Sequence, residues 1–459
     1  MAAVPERFDL IVIGGGSAAR DAAGMAAREH GARVALVEKE RWGGSCPNVA
    51  CSPTKAYLVA AELVRDATVL APKVGVETGG VRVDLARVHD WKETLKKPQA
   101  QWVADLEAAG FATFTGEAML VNTHTVLVEE QELEADRILI ATGSRTAVPP
   151  VEGIDEIDWI DHVTALDLTE LPRSLLVVGA GAVGLEFGQA FARYGSEVTI
   201  VDAADRIAPL ADVDACATLA AALEEEGIHL APGVFVQRAR RDGDDVVATI
   251  APRDGSDPYE LRAQTLLLAS GRVPNLEGLN VDELGIETTR TGIAVDGRLR
   301  TSVPGIWAAG DVNAVAQFTP VAQYQARIAV ADMFGDDPPA ADYSVLPTAI
   351  FTDPELGSVG LSEAEARAAG HDVGIATHPL RAVTRAQYYG TKHGLYKIVY
   401  DRSDRRVLGV HIVSRGASDI VGGLAVALGL GATVDDLARV HHVYPSFSEG
   451  LKAAAEQAT

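Results

Sequence analysis

The strongest constraint on the fold of this chain is an echo within it. FDLIVIGGG at 8–16 and SLLVVGAG at 174–181 are both apolar runs that end in a glycine-rich turn. Downstream of the first comes ILIATGS at 138–144, and downstream of the second comes LLLASGR at 266–272. Each half therefore reads as strand, glycine turn, helix, second strand, intervening material, and an apolar strand closing on small residues. One glycine turn arises easily by chance, but the same order twice does not. The reading is an α/β chain with two Rossmann-like nucleotide-binding units. At 459 residues the chain is too long for one ordinary core, so two to four domains are expected.

Punctuation places the boundaries. Pro149-Pro150 and the acidic stretch Glu152 to Asp161 read as a linker, so 1–150 is the first unit and 151–270 the second. Pro274 and TSVPGIWAAGD at 301–311 mark a return to a strand of the first type, making 271–340 the second part of the first unit. From 341 the texture changes, with a proline-rich, β-prone stretch from Tyr343 to Gly360. Strands at 395–400 and 407–413 follow, then an Ala/Gly/Leu helix at 417–430, so 341–459 reads as a separate α+β module.

Charge and cysteine content narrow the partners. Forty Lys and Arg against 64 Asp and Glu give a net charge of −24, which argues against nucleic acid and against an anionic membrane surface. The weakly polar stretch from Val421 to Val434 is too short and glycine-rich to span a bilayer. Three cysteines, Cys46, Cys51 and Cys216, cannot form a secretory disulfide framework, and the N-terminus runs into a strand without a leader pattern. A cytoplasmic protein is expected. Cys216 lies in VDACATLAAAL, a helical pattern in which it reads as filler.

The first turn, Gly14-Gly15-Gly16-Ser17-Ala18-Ala19, follows a strand and opens a helix. Glycines there permit the backbone to approach a pyrophosphate at the helix N-terminus. Glu38 ends the next strand, where a carboxylate accepts hydrogen bonds from a ribose hydroxyl. The second turn is a complete G-x-G-x-x-G, Gly179 to Gly184 with Gly181 between, and its second strand ends in Asp202. An acidic residue at that place repels a ribose 2′-phosphate and favours NADH over NADPH. Arg206, four residues on, reads as a solvated surface charge, with phosphate recognition the alternative.

Two of the three cysteines fall in GGSCPNVACSPTK, from Gly43 to Lys55. On a regular helix, positions five apart rise by about 7.5 Å, more than the roughly 7 Å a disulfide tolerates between Cα atoms. A bridged pair therefore requires a distorted start to the helix, for which Pro47 and Pro53 supply reasons.

With these motifs in hand, the chain resembles the flavoprotein disulfide reductases, the family of dihydrolipoamide dehydrogenase, glutathione reductase and mercuric reductase. The resemblance covers essentially the full length and rests on G-G-S-C-x4-C-x-P-T-K, A-T-G-S, G-x-G-x-x-G-x-E, A-x-G-R-x-P-N and A-A-G-D. It implies an FAD domain in 1–150 and 271–340, an NAD(P)H domain in 151–270 and a C-terminal dimerisation domain, working as a homodimer. It implies that NAD(P)H reduces FAD and that FAD opens a Cys46–Cys51 disulfide, whose dithiol reduces a small oxidised substrate. Cys51 is then the thiolate against the flavin and Cys46 the exposed interchange thiol. Lys55, paired with Glu186, lies near the flavin, where a cation favours the anionic reduced state. The resemblance also assigns flavin contacts to Gly14, Gly16, Ser17, Glu38, Gly44, Ser45, the Ala118 backbone, Thr142, Gly143, Asp311 and Thr319. Gly179, Gly181, Gly184, Asp202 and Gly271 fall on the nicotinamide nucleotide side.

One motif departs. The family closes on a histidine–glutamate pair supplied by the partner subunit, but here the segment reads HHVYPSFSEG, with Tyr444 in the histidine's place ahead of Glu449. A tyrosine, with a pKa near 10 against about 6.5 for histidine, donates a proton but is a poor base. His442, two positions earlier, is an alternative base, and structural packing is the plain reading of both. Tyrosine at this place and GQAFARYGSEVTIV at 188–201 resemble mercuric reductase, yet AAAEQAT stands where those enzymes carry adjacent cysteines. Reduction of a small disulfide is the first expectation. Reduction of a metal ion, quinone or other electrophile is the second, and a flavoprotein subunit without turnover the third.

Overall fold

The computed structural model describes residues 5–459. The chain divides into two compact units. The first gathers the residues up to Pro53 with Lys92–Ala147 and Arg272–Asp342. At its centre is a five-stranded parallel sheet in the order Ile306–Ala308, Ile138–Ile140, Leu10–Ile13, Val34–Glu38, Ala112–Thr115. Leu10–Ile13 is buried on both faces, as parallel strands covered by helices are. The helix Ser17–His30 meets the core through Ala18, Ala19, Ala22, Ala23 and Ala26, small enough for close approach to the helix Thr319–Phe334. A second sheet, of four strands, runs Glu6–Phe8, Gln131–Ala135, Thr125–Val128, Ala118–Leu120.

The second unit comprises Thr54–Trp91, Val148–Gly271 and Tyr343–Thr459. It holds a four-stranded parallel sheet in the order His229–Pro232, Glu197–Asp202, Ser174–Val178, Thr265–Leu268, with a three-stranded antiparallel sheet formed by Val234–Asp242, Asp245–Pro252 and Tyr259–Ala263. It also holds a five-stranded antiparallel sheet, Thr348–Ile350, Glu355–Gly360, Val407–Ser414, Leu395–Asp401 and Val373–Pro379, covered by the helix Ala417–Gly429. Both parallel sheets carry a glycine turn at the end of their central strand, so the echo in the sequence is an echo in the fold. Among the described residues no helix is long and apolar enough to cross a membrane.

One buried ion cluster ties the second unit together. Lys397, fully buried, donates to Asp212 at 3.0 Å, Asp214 at 2.6 Å and Glu363 at 3.0 Å. Burial opposes its charge, but the bonds to Asp214, Asp212 and Glu363 outweigh that and hold its pKa above the ordinary lysine value. Asp212 is itself buried and also caps the helix Val213–Glu225 through the Asp214 amide. Lys397→Met would leave Asp212 buried without its counter-ion. Such a loss costs about 3–5 kcal/mol, and urea unfolding should show it; a loss below about 1 kcal/mol would mean that the cluster relaxes into solvent.

Candidate active site

In the first unit, the turn after Leu10–Ile13 lines a cavity together with Glu38, Gly44, Ser45, Ala118, Thr142 and Gly143. Gly16 caps the helix that Ser17 begins, so unpaired backbone amides face this cavity. Glu38 is tethered at the cavity edge. Its Oε2 accepts from the Gly15 amide at 2.7 Å, and its Oε1 accepts from Glu40 at 2.8 Å and Arg41 at 3.1 Å. Two carboxylate oxygens offer about four acceptor sites, so capacity remains for a ribose hydroxyl. Gly44 has φ +75°, and a Cβ there would lie 2.5 Å from the Gly16 Cα. The two glycines thus bring the cysteine-bearing segment into backbone contact with the nucleotide turn.

Asp311 lies in the same unit. Its Oδ2 accepts from Ser144 Oγ at 2.7 Å and meets Arg272 Nε at 3.5 Å. Thr142 is locked to the returning segment, donating from Oγ1 to the Asn275 carbonyl at 2.7 Å and accepting from Asn275 Nδ2 at 3.0 Å. Asn275 and Arg41 also line the cavity, although neither is singled out from the sequence. The A-x-G-R-x-P-N motif, which ends on Asn275, was the available signal. These features fit a dinucleotide: backbone amides for phosphates, a carboxylate for a ribose and a space closed by glycine contacts.

The cysteines stand on two helical pieces. Cys46 is in the short helix Ser45–Val49, and Cys51 opens the helix Cys51–Arg65. Between them Ala50 leaves helical geometry, at φ −134° and ψ −102°. The expected distortion is present, and it falls between Pro47 and Pro53. Asn48, buried, pins the first piece by donating to the Gly44 carbonyl at 2.7 Å and the Trp42 carbonyl at 3.0 Å. Cys51 Sγ lies 3.8 Å from Thr319 Oγ1, so those two expected site residues meet. In the protein alone, Cys51 is exposed and Cys46 half-buried. Cys216 is buried, as a filler residue would be.

In the second unit, Lys55 Nζ donates to Glu186 Oε2 at 2.8 Å and lies 4.2 Å from the centre of the Phe351 ring. Glu186 is buried, and its other oxygen accepts from the Phe351 amide at 3.0 Å. The lysine charge is therefore held by a carboxylate, a ring and a backbone anchor. At the second turn a Cβ on Gly184 would fall 1.9 Å from the Gly179 carbonyl oxygen, and Gly181 caps the helix Ala182–Tyr194. Asp202 accepts from the Ala180 amide at 2.5 Å and the Ala204 amide at 2.7 Å. Arg206 is turned onto its own loop, donating to the Pro209 carbonyl at 2.9 Å and to Asp205 at 3.3 Å. Gly271, at φ +114°, follows the strand Thr265–Leu268.

Toward the C-terminus, Tyr444 is 73% exposed. Glu449 opens the helix Glu449–Ala455 and accepts from the Thr384 amide at 3.2 Å. His442 is half-buried, and its Nε2 has no hydrogen-bond partner among the described residues. Burial lowers its pKa, the Lys452 charge adds to this, and Glu449 opposes it, so the balance favours the neutral imidazole.

Comparison with known proteins gives a consistent result. Residues 8–326 match the family model described as pyridine nucleotide-disulphide oxidoreductase, and residues 346–455 match that family's dimerisation domain. A mercuric reductase of Lysinibacillus sphaericus is 36% identical over 98% of this chain and 82% of its own length. Dihydrolipoyl dehydrogenase 3 of Pseudomonas aeruginosa is 34% identical over 98% of this chain and 97% of its own. Among solved structures, the Cu(II) complex of the HOCl-induced flavoprotein disulfide reductase RclA from Escherichia coli superposes with a TM-score of 0.87. It is 28% identical and covers 98% of this chain and 99% of its own.

The Gly16–Gly44 contact yields a direct test. Gly44→Ala must either leave its left-handed conformation or push the two turns apart. A residue forced into that conformation costs about 1–2 kcal/mol, so FAD affinity should fall by at least roughly fivefold. The flavin-to-protein absorbance ratio after dialysis measures this, and full flavin retention would refute the role given to the contact.

Proposed function

The chain belongs to the pyridine nucleotide-disulphide oxidoreductase family, and from that premise we propose how its own residues carry the reaction. It is an FAD-dependent NAD(P)H oxidoreductase with a disulfide redox centre. The residues given to FAD are Gly14, Gly16, Ser17, Glu38, Gly44, Ser45, Ala118, Thr142, Gly143, Asp311 and Thr319, in the domain formed by 1–150 and 271–340. Gly179, Gly181, Gly184, Asp202 and Gly271 serve NAD(P)H in 151–270, and 341–459 pairs two copies into a homodimer of the cytoplasm. FAD held by these residues would supply two-electron transfer between the nicotinamide and the Cys46–Cys51 disulfide. Lys55 supplies positive charge, and Glu186 orients it. Cys51 is the sulfur on the flavin side and Cys46 the one that meets the substrate, with Tyr444 and Glu449 on the proton-transfer side.

The observation that carries this reading is the broken helix. It puts Cys46 and Cys51 on two helical pieces rather than one regular helix, with Cys51 beside Thr319 and Cys46 in the glycine-anchored turn. The substrate is a small oxidised compound, first of all a disulfide. A second reading, reduction of a metal ion, quinone or other electrophile, is favoured by one residue: Tyr444 cannot act as the base a histidine provides. The mercuric reductase relative and the Cu(II) complex of the E. coli neighbour point the same way.

Steady-state NADH oxidation against a panel of disulfides, Hg(II) and quinones decides between the readings. Cys46→Ser should abolish turnover of disulfides down to the rate without acceptor while quinone turnover persists. A variant that still turned over disulfides would refute the assignment. NADH is the expected donor. Asp202 is held rigidly by two amides where a 2′-phosphate would approach, and Arg206 is engaged with Asp205 and Pro209. Repulsion of about 1–2 kcal/mol between such charges corresponds to kcat/KM at least roughly fivefold higher with NADH, and a preference for NADPH would overturn this reading of Asp202.

A further inference from the structure

Two buried polar atoms near Cys46 have no hydrogen-bond partner among the described residues: Arg20 Nε and Trp102 Nε1. The Arg20 guanidinium carbon lies 4.7 Å from the centre of the Trp102 ring, and Lys97 Nζ lies 4.1 Å from it. The ring abuts the cysteine-bearing turn, since a Cβ on Gly43 would be 2.6 Å from it. The same turn is held from that side by Gln99, which donates to Asn48 Oδ1 at 3.1 Å. On the other side, Gly44 touches Gly16, and the Arg20 amide donates to the Gly16 carbonyl at 3.0 Å, one helical turn along. Arg20 and Trp102, from two elements, thus meet each other beside the Gly43–Asn48 segment.

The charges around this segment are unequal. Lys97 is paired with Asp105. Asp21, beside Arg20, meets Arg327 at 3.7 Å and accepts from Gln323 at 3.4 Å. Arg20 has an unmatched donor and a desolvated charge. Burial pulls its pKa down, and Asp21 and then Cys46 pull it back up, so the cysteine is within electrostatic reach of the guanidinium.

We infer that the Arg20 guanidinium, seated on the Trp102 ring, is the cation that stabilises the thiolate of Cys46, with Trp102 as the positioning residue. The inference rests on Cys46 being the interchange thiol. The thiolate is the nucleophile in disulfide exchange, and a neighbouring cation raises its population. Arginine keeps its proton in proteins, so it holds charge and transfers nothing. The Cys46 thiol releases its proton to water, and the thiolate attacks one sulfur of the substrate disulfide. The S–S bond breaks, and one substrate thiolate leaves and takes up a proton. The Cys51 thiolate then attacks the Cys46 sulfur, reforms the internal disulfide and releases the second thiol, the dithiol having given up two electrons. Charge stabilisation is thereby separated from proton transfer, which suits a chain carrying Tyr444 in place of a histidine.

The test is the pH dependence of iodoacetamide alkylation, read cysteine by cysteine by mass spectrometry on the flavin-loaded protein after phosphine reduction. In the unaltered protein, Cys46 should alkylate with a midpoint at least about one pH unit below the ordinary thiol value near 8.5. Arg20→Gln should raise that midpoint by about one unit and slow alkylation at neutral pH roughly tenfold. Arg20→Lys should recover most of the effect, and Trp102→Leu should shift it in the same direction as Arg20→Gln. An ordinary midpoint in the unaltered protein overturns the inference, and so does an Arg20→Gln profile that superposes on it. If Arg20→Gln does not retain flavin, the unaltered protein, Arg20→Lys and Trp102→Leu still decide. Label on another cysteine with Cys46 untouched would refute the interchange assignment itself. Label on Cys46 that is indifferent to Arg20 would refute this inference alone.

Discussion

The backbone contact between Gly16 and Gly44 is the constraint on which the first unit depends. It joins the turn that closes one strand to the segment that carries the redox cysteines, leaving no room for a Cβ. Ser45 lines the nucleotide cavity because Gly44 touches Gly16, and Cys46 follows in the next position. Asn48 then folds back onto the Gly44 carbonyl and closes the turn, while Ala50 breaks the helix and releases Cys51 toward Thr319. The cysteines are placed by backbone geometry.

The second unit uses electrostatics for the same end. Lys55 is fixed by Glu186, and Glu186 by the Phe351 amide, so a flexible four-carbon side chain is confined to one position. A lysine free to rotate would place its charge only part of the time. The ring beneath it adds attraction without offering a competing acceptor.

Much of this was legible in the sequence because the signals are local. Buried parallel strands read as unbroken apolar runs, and both Leu10–Ile13 and Ser174–Val178 do so before their glycine turns. The break between the cysteines was foreshadowed by Pro47 and Pro53, since proline removes a helical donor on each side of Ala50. What the sequence concealed depends on residues far apart along the chain. Nothing in KKPQAQWVADLE marks Lys97 or Trp102 as neighbours of a cysteine turn, and Arg20 reads like any polar residue on an amphipathic helix. Lys397 lies on a strand whose pattern gives no hint of Asp212 or Glu363.

The concealed residues also bear on the departure at Tyr444. A histidine beside a thiol performs two tasks, since its cation stabilises a thiolate and its titration near neutrality moves a proton. Tyrosine can perform only the second, and only as a donor. A chain with this substitution needs positive charge at Cys46 from elsewhere, or it must favour acceptors that do not require a thiolate. Arg20, short of a hydrogen-bond partner at Nε among the described residues and within electrostatic reach of Cys46, meets the first condition. Its charge does not vary with pH in the physiological range, whereas that of a histidine would. The interchange thiol would then stay ionised over a wider range of pH without a base to deprotonate it, which leaves Tyr444 only the donor's task of protonating the leaving thiolate. On this reasoning the loss of the histidine narrows the proton chemistry and leaves the nucleophile intact, so disulfide reduction remains the first reading of the site.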